Sequence, residues 1–106
     1  MCGILGIQSN RLLDRKLFNK SLDLMTHRGP DSGDVYEHSN SMLGHRRLKI
    51  IDLSESANQP MSSRDNLYTI VFNGEIYNYQ KIAQELKKLG YKFKTNGDTE
   101  VLLNGF

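Results

Sequence analysis

The sequence predicts an α+β fold in which sheets are covered by helices. Strand-like segments outnumber helical ones, and the two clear amphipathic helices are separated by several strands rather than alternating with them. Length sets the scale. A chain of 106 residues is one domain at most, or part of one. At that size roughly two-thirds of the unfolded chain's surface can be buried, enough for a modest single core.

The elements follow in order. Cys2 to Gln8 is a short apolar run broken by two glycines and reads as a buried strand. Leu17, Phe18, Leu22 and Met25 recur at near-helical spacing, so roughly Asp14 to Thr26 is expected as a helix with one apolar face. HRGPDSGD (27–34) cannot continue a helix and reads as a loop. Val35 to His38 and Ser41 to His45 form two strands around a turn at Ser39-Asn40. LKIIDL (48–53) is a further expected strand, and the polar stretch 54–66 a loop. YTIVF (68–72) reads as the clearest buried strand, running into Asn73-Gly74. Ile82, Ala83, Leu86 and Leu89 mark an amphipathic helix, with Asn78 as N-cap and Gly90 at its C-terminal end. YKFKT (91–95) alternates and reads as a half-exposed strand. Asp98-Thr99 opens a last helix carrying Val101 and Leu102 that has barely begun at Phe106, as expected for part of a larger domain.

Composition excludes several classes. A net charge of +2, with Lys and Arg mixed among Asp and Glu, suggests neither a nucleic-acid nor an anionic-membrane partner. The N-terminus lacks a signal-peptide pattern and no apolar run approaches ~20 residues, so a cytoplasmic location is expected. His27, His38 and His45 show no metal-ligand spacing, and solvated or structural roles are expected for all three.

The one cysteine, Cys2, rules out an internal disulfide. A free cysteine is ordinarily a small, inert, buried hydrophobe. Its position argues otherwise. A small side chain after the initiator methionine permits removal of that methionine, and the mature chain would begin with Cys2. An N-terminal cysteine carries its own base. The reference pKa values of an α-amine, about 7.7–8.0, and a thiol, about 8.5, make proton transfer between them nearly balanced. Gly3 leaves room for a substrate to approach the sulfur.

MCGILGI, HRGPDSGD (27–34), GHRRLKIIDLS (44–54), NQPM (58–61), VFNGEIYN (71–78) and GDTEVL (97–102) occur in one order at consistent spacing. Together they resemble the glutaminase half of glutamine-dependent asparagine synthetases, over essentially the whole chain. That half is a class II glutamine amidotransferase domain of the N-terminal nucleophile hydrolase type. The resemblance implies an αββα sandwich, of which residues 1–106 are only the N-terminal portion. It implies a reaction in which the thiol attacks the side-chain amide of glutamine, releases ammonia and leaves a glutamyl thioester for water to hydrolyse.

Site residues follow from the same resemblance. Cys2 is the nucleophile. Asn73, through its side-chain amide, and Gly74, through its N–H, form the oxyanion pair. Asn-Gly is otherwise commonly a tight turn, and the two readings are compatible. Arg47 binds the glutamine carboxylate, where a guanidinium fork is suited to bidentate contact. In a strand, Arg46 and Arg47 point to opposite faces, so only one can face the site, and the motif match picks Arg47. Asp98 holds the substrate ammonium, with a helix N-cap as its alternative reading. Leu48, Lys49, Ile50, Ile51 and Glu75 fall in pocket-lining segments, chiefly through backbone or packing. Arg28 and Asp31 are expected to pair and pin the loop near the terminus.

The sequence departs from the pattern at Lys49 and Asn58, which read as peripheral. The ATP-binding synthetase domain is absent from residues 1–106. No cofactor is therefore expected in this chain, while ATP and Mg²⁺ belong to that missing domain. The expected partners are L-glutamine and, in a full-length parent, the synthetase domain. The isolated chain is expected to be inactive, and unstable or self-associating. Two alternatives stand beside this reading. The same domain could serve another acceptor, such as a surface-polysaccharide sugar acid, or the chain could be a non-catalytic truncated remnant.

Overall fold

A computed structural model describes residues 1–106. Strand β3 (Ser41–Arg47) is the axis of the molecule. It runs antiparallel to β1 (Gly3–Gln8) on one side and β2 (Ser32–His38) on the other, giving the order β1-β3-β2. Residues 39 and 40 close the β2–β3 hairpin, with Ser39 at a positive φ of 54°. Side chains alternate along β3. Met42, Gly44 and Arg46 face one side; Leu43, His45 and Arg47 face the other.

Helix α1 (Arg15–Asp23) covers the first face. Asp14 caps it, its Oδ1 accepting from the Leu17 N–H at 3.0 Å. Phe18 and Leu22 are buried against β3 beside Met42. Gly44 makes this contact possible, because a Cβ there would lie 2.9 Å from the Phe18 ring. The chain then winds through i→i+3 turns to Arg28. Gly29 follows, packed so closely on β3 that a Cβ would meet the Arg46 carbonyl at 2.2 Å.

A second layer lies over the opposite face. It holds a 3₁₀ turn (Glu55–Ala57), the two-residue strands β4 (Met61–Ser62) and β5 (Thr69–Ile70), and helices α2 (Tyr79–Lys88) and α3 (Asp98–Gly105). α2 ends in a Schellman motif. Gly90 takes φ 97°, its N–H bonds the Lys87 carbonyl, and the Tyr91 N–H bonds the Leu86 carbonyl. α2 packs on α3, which buries Val101 and Leu103.

Several expectations are corrected. β2 begins at Ser32 rather than 35, because Ser32 and Gly33 pair with Arg47 and Arg46. β1 is an edge strand with Ile4 and Ile7 partly exposed, not a buried one. Residues 48–53 form no strand. Their donors go to side chains, Leu48 N–H to Cys2 Sγ at 3.3 Å and Lys49 N–H to Asp31 at 2.8 Å. Only Thr69 and Ile70 of YTIVF are in a strand, and the Phe72 N–H goes to Gln59 Oε1 at 2.6 Å. YKFKT is not a strand either, since the Lys94 and Thr95 N–H groups converge on the buried Glu100 carboxylate. Asn78 does occupy the N-cap position of α2, but its side chain makes no capping bond. The domain is thus mixed α/β. No helix is long and apolar enough to cross a membrane.

Candidate functional site

The pairing of β1 with β3 aims the N-terminus. Gly3 lies opposite Arg46, so Cys2 falls opposite Arg47 and shares its face with Arg47 and His45. Arg28, across the sheet end, donates from Nε to the Cys2 carbonyl at 3.1 Å. A cavity of about 430 Å³ opens over this face, between β3, the 48–53 segment, residues 72–77 and the N-terminus of α3. Of the residues singled out for the site, all but Lys49 line it. Cys2 and Arg47 stand on the sheet side, with Leu48, Ile50 and Ile51 on one wall. Asn73, Gly74, Glu75 and Asp98 complete its lining.

The functional groups are part-engaged in instructive ways. Arg47 is buried, and three of its five N–H donors are used. Nη1 donates to the Ser54 carbonyl at 2.7 Å and to Asn58 Oδ1 at 2.6 Å, and Nη2 to the Asp52 carbonyl. The Nε–H and one Nη2–H have no protein acceptor. Arg46 points the other way, with Nε on the Gly29 carbonyl at 3.2 Å and Nη1 3.8 Å from Asp23. The expected division of the two arginines therefore holds.

Asp98 is buried in the first turn of α3, where the helix dipole favours a carboxylate. Gly97, not Asp98, is the N-cap. One Asp98 oxygen, Oδ2, accepts from the Ile76 N–H at 3.0 Å, and Oδ1 has no protein partner. Asn73 and Gly74 form no hydrogen-bonded turn. The Asn73 amide and the Gly74 N–H are both unengaged within the chain. Gly74 is pressed on the Phe72 ring, where a Cβ would come within 2.8 Å.

The whole chain, residues 1–106, matches the glutamine amidotransferase domain family. The chain belongs to this family. It is 43% identical, over 97% of its length, to asparagine synthetase [glutamine-hydrolyzing] 1 of Bacillus subtilis (strain 168). It is 41% identical over 98% of its length to a probable asparagine synthetase [glutamine-hydrolyzing] of Dictyostelium discoideum. To asparagine synthetase B [glutamine-hydrolyzing] of Escherichia coli (strain K12) it is 38% identical over 97%. The chain spans 17%, 19% and 19% of these proteins respectively, less than a fifth of each.

Other contacts in the amidotransferase domain escaped the sequence reading. Asn58 is not peripheral. Its Oδ1 takes both Arg47 Nη1 and the Ser32 hydroxyl, the latter at 3.0 Å, and its Nδ2 donates to Glu55 at 2.5 Å. Lys49 in turn pairs with Glu55 at 2.5 Å. Gln59 ties two walls together, accepting from Phe72 N–H and donating to Thr99 Oγ1 at 3.1 Å. Arg28 and Asp31 do not pair with each other. Each pins backbone separately, Arg28 at Cys2 and Asp31 at Lys49.

His45 is fully buried in the cavity floor. Its Nε2 lies 3.3 Å from the Phe72 carbonyl, which can only accept, so Nε2 carries the proton. Nδ1 is then a buried acceptor without a partner. Burial pushes the imidazole pKa below the ordinary 6.5; the Phe72 bond opposes this and the Arg47 charge adds to it. A histidine whose folded pKa is depressed binds its proton more readily when unfolded. Its stabilising contribution is therefore present above the unfolded pKa and lost as pH falls through the folded one. Stability in urea titrations is expected to decline as pH drops below 6.5. A His45→Gln variant is expected to flatten that part of the profile; an unchanged slope would contradict the assignment.

Proposed function

We propose that this amidotransferase domain hydrolyses glutamine to glutamate and ammonia through an N-terminal Cys2. The observation that supports it most is convergence. A thiol, two unengaged N–H donors, a part-free guanidinium and a half-free carboxylate from separate elements face one cavity.

The reaction follows from those groups. Met1 is 70% exposed and accessible for removal, which frees the Cys2 α-amine. That amine takes the thiol proton as sulfur adds to the glutamine side-chain carbonyl. Negative charge forms on the carbonyl oxygen and is met by the Asn73 amide and the Gly74 N–H. The C–N bond breaks, the amine returns its proton, and ammonia leaves behind a glutamyl thioester. Water hydrolyses the thioester to glutamate and regenerates the thiol. Meanwhile the two remaining Arg47 donors hold the substrate carboxylate, and Asp98 Oδ1 holds its ammonium. Leu48 N–H, already on Cys2 Sγ, keeps the sulfur oriented toward the cavity.

The larger setting we infer is a cytoplasmic, glutamine-hydrolysing asparagine synthetase, in which this domain is the N-terminal portion of an αββα sandwich. There it supplies ammonia to a synthetase domain that uses ATP and Mg²⁺. Names and lengths of the relatives support this reading. The direct test measures glutamate and ammonia from glutamine in the full-length parent with Met1 removed. Matched release of the two is expected. Intact glutamine, together with an unlabelled Cys2 after exposure to an electrophilic glutamine analogue, would overturn the proposal.

A further inference from the structure

An α-amino acid presents its ammonium and carboxylate on one carbon, so a site that grips both must hold its two grips at a fixed spacing. Here the grips belong to different layers. Arg47 ends β3, whereas Asp98 opens α3. Positioning to within about 0.5 Å is what such recognition demands, and it depends on the groups behind the contacts.

One residue joins the two grips. Asp52 accepts from Arg47 Nη2 through its main-chain carbonyl. Its side chain reaches the other way, Oδ2 accepting from the Asn96 N–H at 2.7 Å. Oδ1 accepts from the Ser54 N–H at 2.8 Å, which holds the carboxylate in place. Gly97 lies against it, its would-be Cβ only 3.9 Å from Asp52 Cβ, and Asp98 comes next in the chain. Arg47's other acceptors, Ser54 and Asn58, make no hydrogen bond to the segment entering α3. The Asn96 N–H, with help from Ser54, holds the Asp52 carboxyl down at about 2, so it stays ionised and accepting at neutral pH.

We propose that Asp52 is a positioning residue that sets the distance between Arg47 and Asp98, and so makes the site selective for amides carrying a free α-amino-acid head. It touches no reacting atom. The inference rests on the glutaminase reading above, because it assumes that Arg47 and Asp98 grip one substrate.

The test compares two reagents on Cys2 in the full-length parent lacking Met1. One is an electrophilic analogue of glutamine with its α-ammonium and α-carboxylate intact; the other is iodoacetamide, which has neither. Asp52→Asn keeps the shape but weakens a charge-assisted bond, and a loss of that kind corresponds to about tenfold in binding. The glutamine analogue is expected to label Asp52→Asn about tenfold more slowly, with iodoacetamide labelling within about twofold of the parent. The KM for glutamine should rise by a similar factor with kcat nearly unchanged. Equal slowing with both reagents, or no slowing with either, would overturn the assignment. Asp52→Glu retains the charge and moves it by one methylene; it gives the same comparison if the asparagine variant does not fold. A parent protein inert toward the glutamine analogue would instead defeat the glutaminase reading itself. A reactive parent matched by both variants would defeat only the role of Asp52.

Discussion

Cys2→Ala should release no ammonia from glutamine above the uncatalysed rate. In the proposed reaction the sulfur is the atom that bonds to the substrate, and no other thiol exists in the chain to replace it. The loss should be chemical rather than structural. Within the fold the sulfur accepts a hydrogen bond from Leu48 N–H and donates a long one, 3.7 Å, to the Leu48 carbonyl, and losing such bonds costs about 1 kcal/mol each. Alanine leaves Arg47 and Asp98 in place, so glutamine should still bind, as calorimetry would detect. Protein retaining Met1 should be equally silent for a different reason. Its Cys2 nitrogen is an amide, which cannot take a proton from the thiol. Ammonia release by Cys2→Ala at a rate near the parent's would remove the nucleophile from the mechanism altogether.

Asn73→Ala should lower kcat by about 10²–10³-fold, the usual effect of deleting one oxyanion donor. The amide is needed only when the carbonyl oxygen becomes charged, so KM should change little. Thermal stability should hold, because the Asn73 side chain makes no hydrogen bond within the chain. A kcat within a few-fold of the parent would assign the oxyanion to other donors. If KM alone rose, Asn73 would be a ground-state contact.

The legible parts of the fold are those whose cause is local. The β2–β3 hairpin turns where Ser39-Asn40 interrupts an alternating pattern, and α2 stops where Gly90 permits a positive φ. Residues 48–53 and 91–95 carry equally plausible strand patterns. Their backbone donors instead find partners outside any local window: the Cys2 sulfur, the Asp31 carboxylate and the Glu100 carboxylate. Burial of a charged residue such as Glu100 cannot be foreseen from a strand-like neighbour. The site shows the same divide. Its motif residues converge on one cavity, yet the supporting roles of Asp52, Asn58 and Gln59, although they lie in motif blocks themselves, depend on hydrogen bonds to distant segments that the blocks do not reveal. A faint signal existed for His45. Alternation along β3 puts it on the face of Arg47, two residues away.

β3 is laddered on both flanks from Ser41 to Arg46, whereas the wall formed by residues 48–53 hangs from side-chain latches. Amides held in such a ladder exchange with solvent chiefly when the sheet itself opens. Side-chain latches of this kind open on smaller fluctuations than a strand ladder. Asp52 lies in that segment and is proposed to space Arg47 from Asp98, so breaking these latches would admit a small molecule and slacken its recognition in a single motion.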